Sequence, residues 1–241
     1  SIDRIVPLSD VVPADLNKAP AAVVVKSRYT NIAGIYELQK DPYLHFPVYY
    51  SEATKFFLWH ELWEQRWVST SELGGGKLVW WIPAGTPKLS PATDDVSQIQ
   101  GNVKIDRIAM LTEVTPKNID AAPPAVIVES GYTNLDGVYR RQSTLHMYFP
   151  LYYNTGFALY LWHDLLRNEW VCSEVAGDTR YMWKVPASDP RALSPSTSDV
   201  RKIDGDSQII AIRDLFDLSG GRSVVLSQTP KAVVVFSKYS D

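Results

Sequence analysis

The sequence of 241 residues has a single cysteine, Cys172, so an intrachain disulfide and a cysteine-based zinc site are both excluded. No apolar run approaches the ~20 residues that span a bilayer, and the N-terminus lacks the basic-then-apolar order of a secretory signal. Basic residues number 24 against 27 acidic ones, and no basic run occurs. We therefore expect no nucleic-acid partner and no direct membrane insertion. The cellular compartment stays unknown.

Apolar and aromatic residues are abundant. Hydrophobic residues make up 45% of the chain, and it carries 8 Trp and 13 Tyr. This composition predicts a globular protein with a real core, either one large β domain or two modules of about 100 residues.

The chain repeats itself. Residues 19–70 align with residues 122–173 at a constant offset of 103, and 22 of these 52 positions are identical. After one inserted residue, the segment 89–101 also matches 193–205. This self-similarity predicts two sibling units.

The ends of the chain carry fragments of the same repeat. Ile2–Ile5 is identical to Ile105–Ile108, and Ala232–Val235 is identical to Ala22–Val25. We therefore expect the chain to be an excerpt or a processed product of a longer repeat protein. The predicted division is a tail of a preceding unit at 1–18, β-module 1 at 19–121, β-module 2 at 122–229, and the first strand of a third unit at 230–241.

An apolar strand left unpaired at an edge would favour aggregation. We therefore expect each Ala-Val strand to dock on the preceding unit. Ala125–Glu129 would then pair with module 1, and Ala232–Ser237 would dock on module 2.

Short runs with a period of two, joined by short connectors, indicate antiparallel strands. The predicted fold class is all-β: two tandem antiparallel β-meander modules of about 103 residues, sandwich-like or barrel-like, with strands shared at the module boundaries. In module 1 we predict strands at Ala22–Lys26, Gly34–Leu38, Phe46–Tyr50, Phe56–His60, Trp67–Thr70, Leu78–Ile82 and Ile105–Leu111. In module 2 we predict them at Ala125–Glu129, Gly137–Arg141, Phe149–Tyr153, Leu159–His163, Trp170–Ser173, Tyr181–Val185 and Ile209–Arg213.

Seven aromatic positions are retained in both modules, and we interpret them as core, since each buried aromatic removes a large area from water. Five pairs form the predicted structural core: Tyr36, Tyr49, Trp59, Trp67 and Trp80, with Tyr139, Tyr152, Trp162, Trp170 and Trp183. The other two pairs are Tyr29 and Tyr50, with Tyr132 and Tyr153.

His60-Glu61 and His163-Asp164 are the most enzyme-like pairs in the sequence. Neighbouring residues on a strand point to opposite faces, however, and cannot converge on one proton or one metal ion. We therefore expect both histidines to be structural, packed beside leucines with a ring nitrogen bonded to the backbone. We predict no catalytic residue and no cofactor, and calcium binding in the polar loops is left open.

Aromatic residues without a counterpart in the other module are the candidate contact sites: Trp63, Trp81, Tyr43 and Phe157. Trp81 aligns with Lys184 and should face away from Trp80. If Trp80 is buried, Trp81 should therefore be exposed.

The shared motifs are Gly-x-Tyr, Pro-Val/Leu-Tyr-Tyr, Leu-Trp-His, Trp-Val and Trp-x-x-Pro. In these motifs the chain resembles aromatic-rich tandem β-modules found in large proteins of single-celled eukaryotes. It departs from them at Ala33-Gly34 and Asp136-Gly137, where Asn-Gly is expected. The resemblance implies an accessory or scaffolding module without an established catalytic centre.

We accordingly predict a non-catalytic structural and protein-interaction segment of a multi-repeat protein. Its partners would be other proteins or neighbouring repeats of the same protein. The alternative is a lectin-like carbohydrate-binding module that uses exposed aromatics and polar loops.

Overall fold

The computed structural model describes residues 12–84, 88–197, 199–205 and 208–215. Two curled antiparallel sheets, of 8 and 7 strands, account for nearly all of the regular structure. The predicted all-β class is confirmed, and the two sheets are consistent with two tandem β modules.

The first sheet has the strand order β7-β6-β5-β4-β3-β2-β1-β8. A short helix, α1 (Leu111–Val114), follows its last strand, and we call the described residues up to the end of α1 unit 1. Its strands are β1 (Ala22–Ser27), β2 (Gly34–Leu38), β3 (Tyr49–Ser51), β4 (Phe56–Glu61), β5 (Arg66–Thr70), β6 (Trp80–Pro83), β7 (Gln100–Gly101) and β8 (Ile105–Met110).

The second sheet has the order β14-β13-β12-β11-β10-β9-β15, and we call the described residues from β9 onward unit 2. Its strands are β9 (Ala125–Ser130), β10 (Gly137–His146), β11 (Phe149–Asn154), β12 (Leu159–Asp164), β13 (Glu169–Ser173), β14 (Trp183–Pro186) and β15 (Ile209–Leu215).

Each sheet curls because its last strand returns to pair with its first. β8 lies antiparallel to β1, and β15 lies antiparallel to β9. The loop after β6 then reaches the far edge of β8, where the Thr93 amide donates to the Ile108 carbonyl at 2.9 Å. Thr197 and Ile212 form the equivalent bridge in unit 2. Because strand pairing and these loop bridges continue around the curl, each unit has a barrel-like shape.

The expected docking of Ala125–Glu129 on module 1 is wrong. This strand is β9, and it pairs with β10 on one edge and β15 on the other. A strand has two hydrogen-bonding edges, and both edges of β9 are used within its own sheet. The other half of that hypothesis, Ala232–Ser237, lies outside the described residues.

Strand positions follow the prediction, with local differences. β3 begins at Tyr49 rather than Phe46, and β10 extends to His146 rather than ending at Arg141. The two-residue strand β7 and the helix α1 were not predicted. The helix is only four residues long, too short for a periodic signal to be read from sequence.

All ten predicted core aromatics are buried. The expectation fails for the two other retained pairs. Tyr29 and Tyr132 are exposed in the turns that follow β1 and β9. Tyr50 and Tyr153 are half-buried, each beside a ring of the next strand.

Tyrosine hydroxyls tie each core to its loops. The Tyr36 hydroxyl donates to the Ile32 carbonyl at 2.8 Å, and the Tyr49 hydroxyl donates to the Leu89 carbonyl at 2.6 Å. A buried tyrosine needs such a partner, so these bonds fix the loops over the core. Unit 2 repeats both bonds, from Tyr139 to Leu135 at 3.0 Å and from Tyr152 to Leu193 at 2.7 Å.

Candidate functional site

The two strand histidines lie inside the aromatic cores. His60 is fully buried and stacks on Phe46 with ring centroids 3.7 Å apart. His163 is also fully buried and stacks on Phe149 at 3.8 Å. The predicted interior position is confirmed, but the predicted bond to the backbone is wrong. Neither ring has a hydrogen bond to the backbone.

Burial in these aromatic cages favours neutral imidazole. It lowers the pKa of His60 to about 4. The pKa of His163 is also lowered to about 4, first by burial and then by the charge of Lys26, while Asp164 and Asn168 oppose the shift. Both rings are therefore neutral packing groups near pH 7.

Of the four candidate contact aromatics, only Tyr43 and Trp81 come together, since both pack against the cluster around Trp59. Trp63 is 82% exposed in the turn between β4 and β5. Phe157 is also exposed, in the turn between β11 and β12. Tyr43 is half-buried and packs edge-on against Trp59, with centroids 5.3 Å apart. The structure therefore does not bring the four together into one site.

The expected exposure of Trp81 is wrong. Trp80 is fully buried, but Trp81 is only half-exposed because the Arg66 guanidinium lies over its ring, 5.0 Å from the centroid. In unit 2 the same two positions are Glu169 and Lys184, which form an ion pair at 3.2 Å. A cation–ring contact in one unit thus takes the place of a salt bridge in the other.

Beside β12, β13 and β14, unit 2 has a cleft of about 210 Å³ that the sequence did not reveal. Trp162 and Val171 line it, with Asp164, Glu169 and Lys184 among its polar residues. Trp162 is itself buried, and its indole N–H donates to the Ser173 hydroxyl at 2.8 Å. The tryptophan therefore offers little ring surface to a ligand.

The two units meet through one apolar cluster. It contains Ala22, Val24 and Ala109, whose side chains point outward from β1 and β8, and the partly buried Ile35 of β2 packs against it. On the other side the cluster is continuous with the core of unit 2. It includes Leu165, in the turn between β12 and β13, and the partly buried Leu166 and Met147 pack against it. The charge of Asp164, next to Leu165, acts on Lys26 of β1, so this turn of unit 2 lies against the outer face of sheet 1.

Polar contacts surround this cluster. The Arg191 guanidinium donates to the Glu113 carbonyl oxygen at 2.9 Å, which joins a loop of unit 2 to α1. The pKa of Lys26 is lowered by burial and by Arg107, while the charge of Asp164 in unit 2 opposes this shift. A well-packed apolar centre with a polar rim is the usual anatomy of a protein interface.

The sequence analysis missed this interface. The signal was present in β1, where Val23 and Val25 point into unit 1 and Val24 points outward to unit 2. A strand that is apolar on both faces is covered on both faces. The partner turn is marked by Leu165-Leu166, two neighbouring apolar residues in a tight connection.

Among the described residues, no three His, Cys, Asp or Glu side chains gather as metal ligands would. None of the helices in this part of the chain is long and apolar enough to cross a membrane.

Comparison of the chain with protein-family models, with curated proteins and with solved structures found no match. The resemblance to aromatic-rich tandem modules therefore stays a prediction.

Proposed function

We propose that this chain is a non-catalytic structural segment of a multi-repeat protein, in which like β-units stack in a fixed orientation and present their surfaces to protein partners. The observation that carries the proposal is the apolar cluster shared by the two units. Its unit 1 side, centred on the fully buried Val24, is the outer face of a complete sheet. Covering that face with the next unit is how repeat proteins gain stability from nearest neighbours.

The aromatic centres support the same function. His60 and His163, the most enzyme-like groups of the sequence, are sealed under phenylalanine and tryptophan rings in both units. In that position each ring fills the core and has no surface for a substrate.

The proposal requires the two units to move as one body. Residual dipolar couplings measured by NMR on the full chain should fit one alignment tensor for both units. Val24→Asp places a carboxylate in the apolar cluster and should separate the units, which then need two tensors. Burying an unpaired carboxylate is far more costly than undocking the turns.

Ile127→Asp is the matched control. Ile127 aligns with Val24 and lies at the same register position in β9, but it is only half-buried. This variant should keep the single tensor. Independent tumbling of the units in the unmodified chain would contradict the proposal.

Carbohydrate binding is the second candidate, and the exposed Trp63 is the observation that favours it, because indole rings stack on sugars. A glycan array separates the two functions. A structural segment should bind no glycan above background, whereas a lectin should bind one class and lose it on Trp63→Ala.

A further inference from the structure

We propose that the turn surface around Trp63 binds the outer face of β9, β10 and β15 in a second copy of this chain, so that copies associate head to tail. The Trp63 surface consists of Leu44, Trp63 and Glu64. The outer face of unit 2 consists of Ile127, Val138, Arg140 and Arg213. This inference rests on the proposed function and names the partner of the stacking surfaces.

The Trp63 surface is the unit 1 equivalent of the surface by which unit 2 already docks. The cluster that joins the two units includes Leu165, and Leu166 and Met147 pack against it. At the offset of 103, these positions are Leu62, Trp63 and Leu44 in unit 1. Leu62 is buried in the core of unit 1, but Trp63 is 82% exposed and Leu44 is 37% exposed, so two of the three equivalent apolar positions are uncovered here.

The outer face of unit 2 is the equivalent of the face that unit 2 covers. Val24 is fully buried against unit 2, whereas its counterpart Ile127 is only half-buried. Ile35 packs against the shared cluster, whereas its counterpart Val138 is 39% exposed. The chain therefore exposes two surfaces, the Trp63 surface and the outer face of unit 2. Their counterparts in the other unit are already in contact within the chain.

The charges of the two surfaces favour the contact. The exposed Arg140 and Arg213 add positive charge to the outer face of unit 2, where Arg213 also pairs with Glu129 at 2.7 Å. The Trp63 surface carries the exposed Glu64, and the nearby Glu61 is paired with Arg66 at 2.6 Å. Opposite charges around an apolar centre set the register of an interface and speed association.

Such an interface is heterologous, because the surface on one copy differs from the surface it meets on the next. Interfaces of this kind do not stop at a dimer unless they close into a ring. Sedimentation velocity of the full chain should therefore show an average mass that rises with concentration, beyond that of a dimer.

Two variants each remove one half of the contact. Trp63→Glu should weaken self-association at least about thirtyfold, as expected for a central tryptophan of an interface. Val138→Glu should have a similar effect by adding negative charge opposite Glu64. Both side chains are exposed, so both variants should fold, and Leu44→Glu serves as a second variant of the Trp63 surface. Phe157→Glu, at an exposed ring outside both surfaces, should change nothing.

Mixing is the decisive measurement. Trp63→Glu and Val138→Glu should each be a monomer alone, but Trp63→Glu keeps an intact outer face and Val138→Glu keeps an intact Trp63 surface. An equimolar mixture should therefore form a one-to-one dimer that stops at two copies. Dimers of Val138→Glu alone would overturn the head-to-tail arrangement.

The outcomes also separate this inference from the proposed function. If the unmodified chain stays monomeric up to about 1 mM while its units share one alignment tensor, head-to-tail association is refuted and the structural role stands. If the units of the unmodified chain need two tensors, the proposed function itself fails.

Discussion

The buried histidines should make the protein lose stability between pH 7 and pH 5. His60 and His163 are both fully buried, and the folded chain holds the pKa of each near 4. In the unfolded chain the pKa of histidine returns to about 6.5. The unfolded state therefore binds more protons than the folded state throughout this interval, and stability decreases as the pH falls.

The size of the effect follows from the two pKa values. A shift of about 2.5 pKa units corresponds to about 3 kcal/mol per histidine once the pH is below 4. At pH 5 about 2 kcal/mol of that loss is already present for each ring, while most carboxylates are still ionised. Between pH 7 and pH 5, the two rings together should lower the free energy of unfolding by about 4 kcal/mol.

The assay is urea unfolding followed by tryptophan fluorescence at pH 7, 6 and 5. His60→Leu and His163→Leu remove one titrating ring each, and the double variant removes both. Each leucine costs some packing at every pH, but each should also remove about 2 kcal/mol of the pH dependence.

The unmodified chain is the reference for the slope, and NMR titration of the imidazole signals gives the two pKa values directly. If the double variant keeps the full pH dependence, or if either ring titrates near pH 6.5 in the folded chain, our explanation is wrong.

Two further predictions use neighbouring controls within unit 1. Thr70→Val should cost about 1–3 kcal/mol in urea unfolding, because it leaves the buried indole N–H of Trp59, now bonded to the Thr70 hydroxyl at 2.8 Å, without a partner. Ser69→Ala should be nearly neutral, since the buried Ser69 hydroxyl has no partner to lose; equal costs for the two would contradict this reasoning. Gly101→Ala should lower the melting temperature, because Gly101 has a φ of 126° and a Cβ there would lie 2.6 Å from a backbone oxygen next to β6. Gly76→Ala meets nothing within 4 Å and should leave the melting temperature unchanged; a drop as large as that of Gly101→Ala would refute the steric argument.

The fold class and the strand positions could be predicted because the two copies of the repeat show which positions are retained. Aromatic positions retained at one offset, such as Trp67 and Trp170, had to serve the same packing role in both copies. The edge pairing of β9 was not predictable in this way, since apolar alternation shows which faces are buried and not which edges are paired.

The candidate contact surfaces were only partly predictable. Trp63 was singled out because its counterpart is not aromatic, and it is the most exposed of the four candidates. The contact of the Arg66 guanidinium with the Trp81 ring was missed. Arg66 is fifteen positions away in the sequence and comes close only through the pairing of β5 with β6. Contacts of that kind need the sheet register, which sequence spacing alone does not supply.

The reactivity of the single thiol, Cys172, reports how often unit 2 opens. Cys172 is fully enclosed, and burial raises the pKa of its thiol to about 12, so the nucleophilic thiolate is scarce while unit 2 stays closed. Unit 1 has Ser69 at the same place, and alkylating reagents therefore record the opening of unit 2 alone. Exchanging the two residues, by Ser69→Cys with Cys172→Ser, would move the reporter to the other sheet and allow the lifetimes of the two closed states to be timed separately.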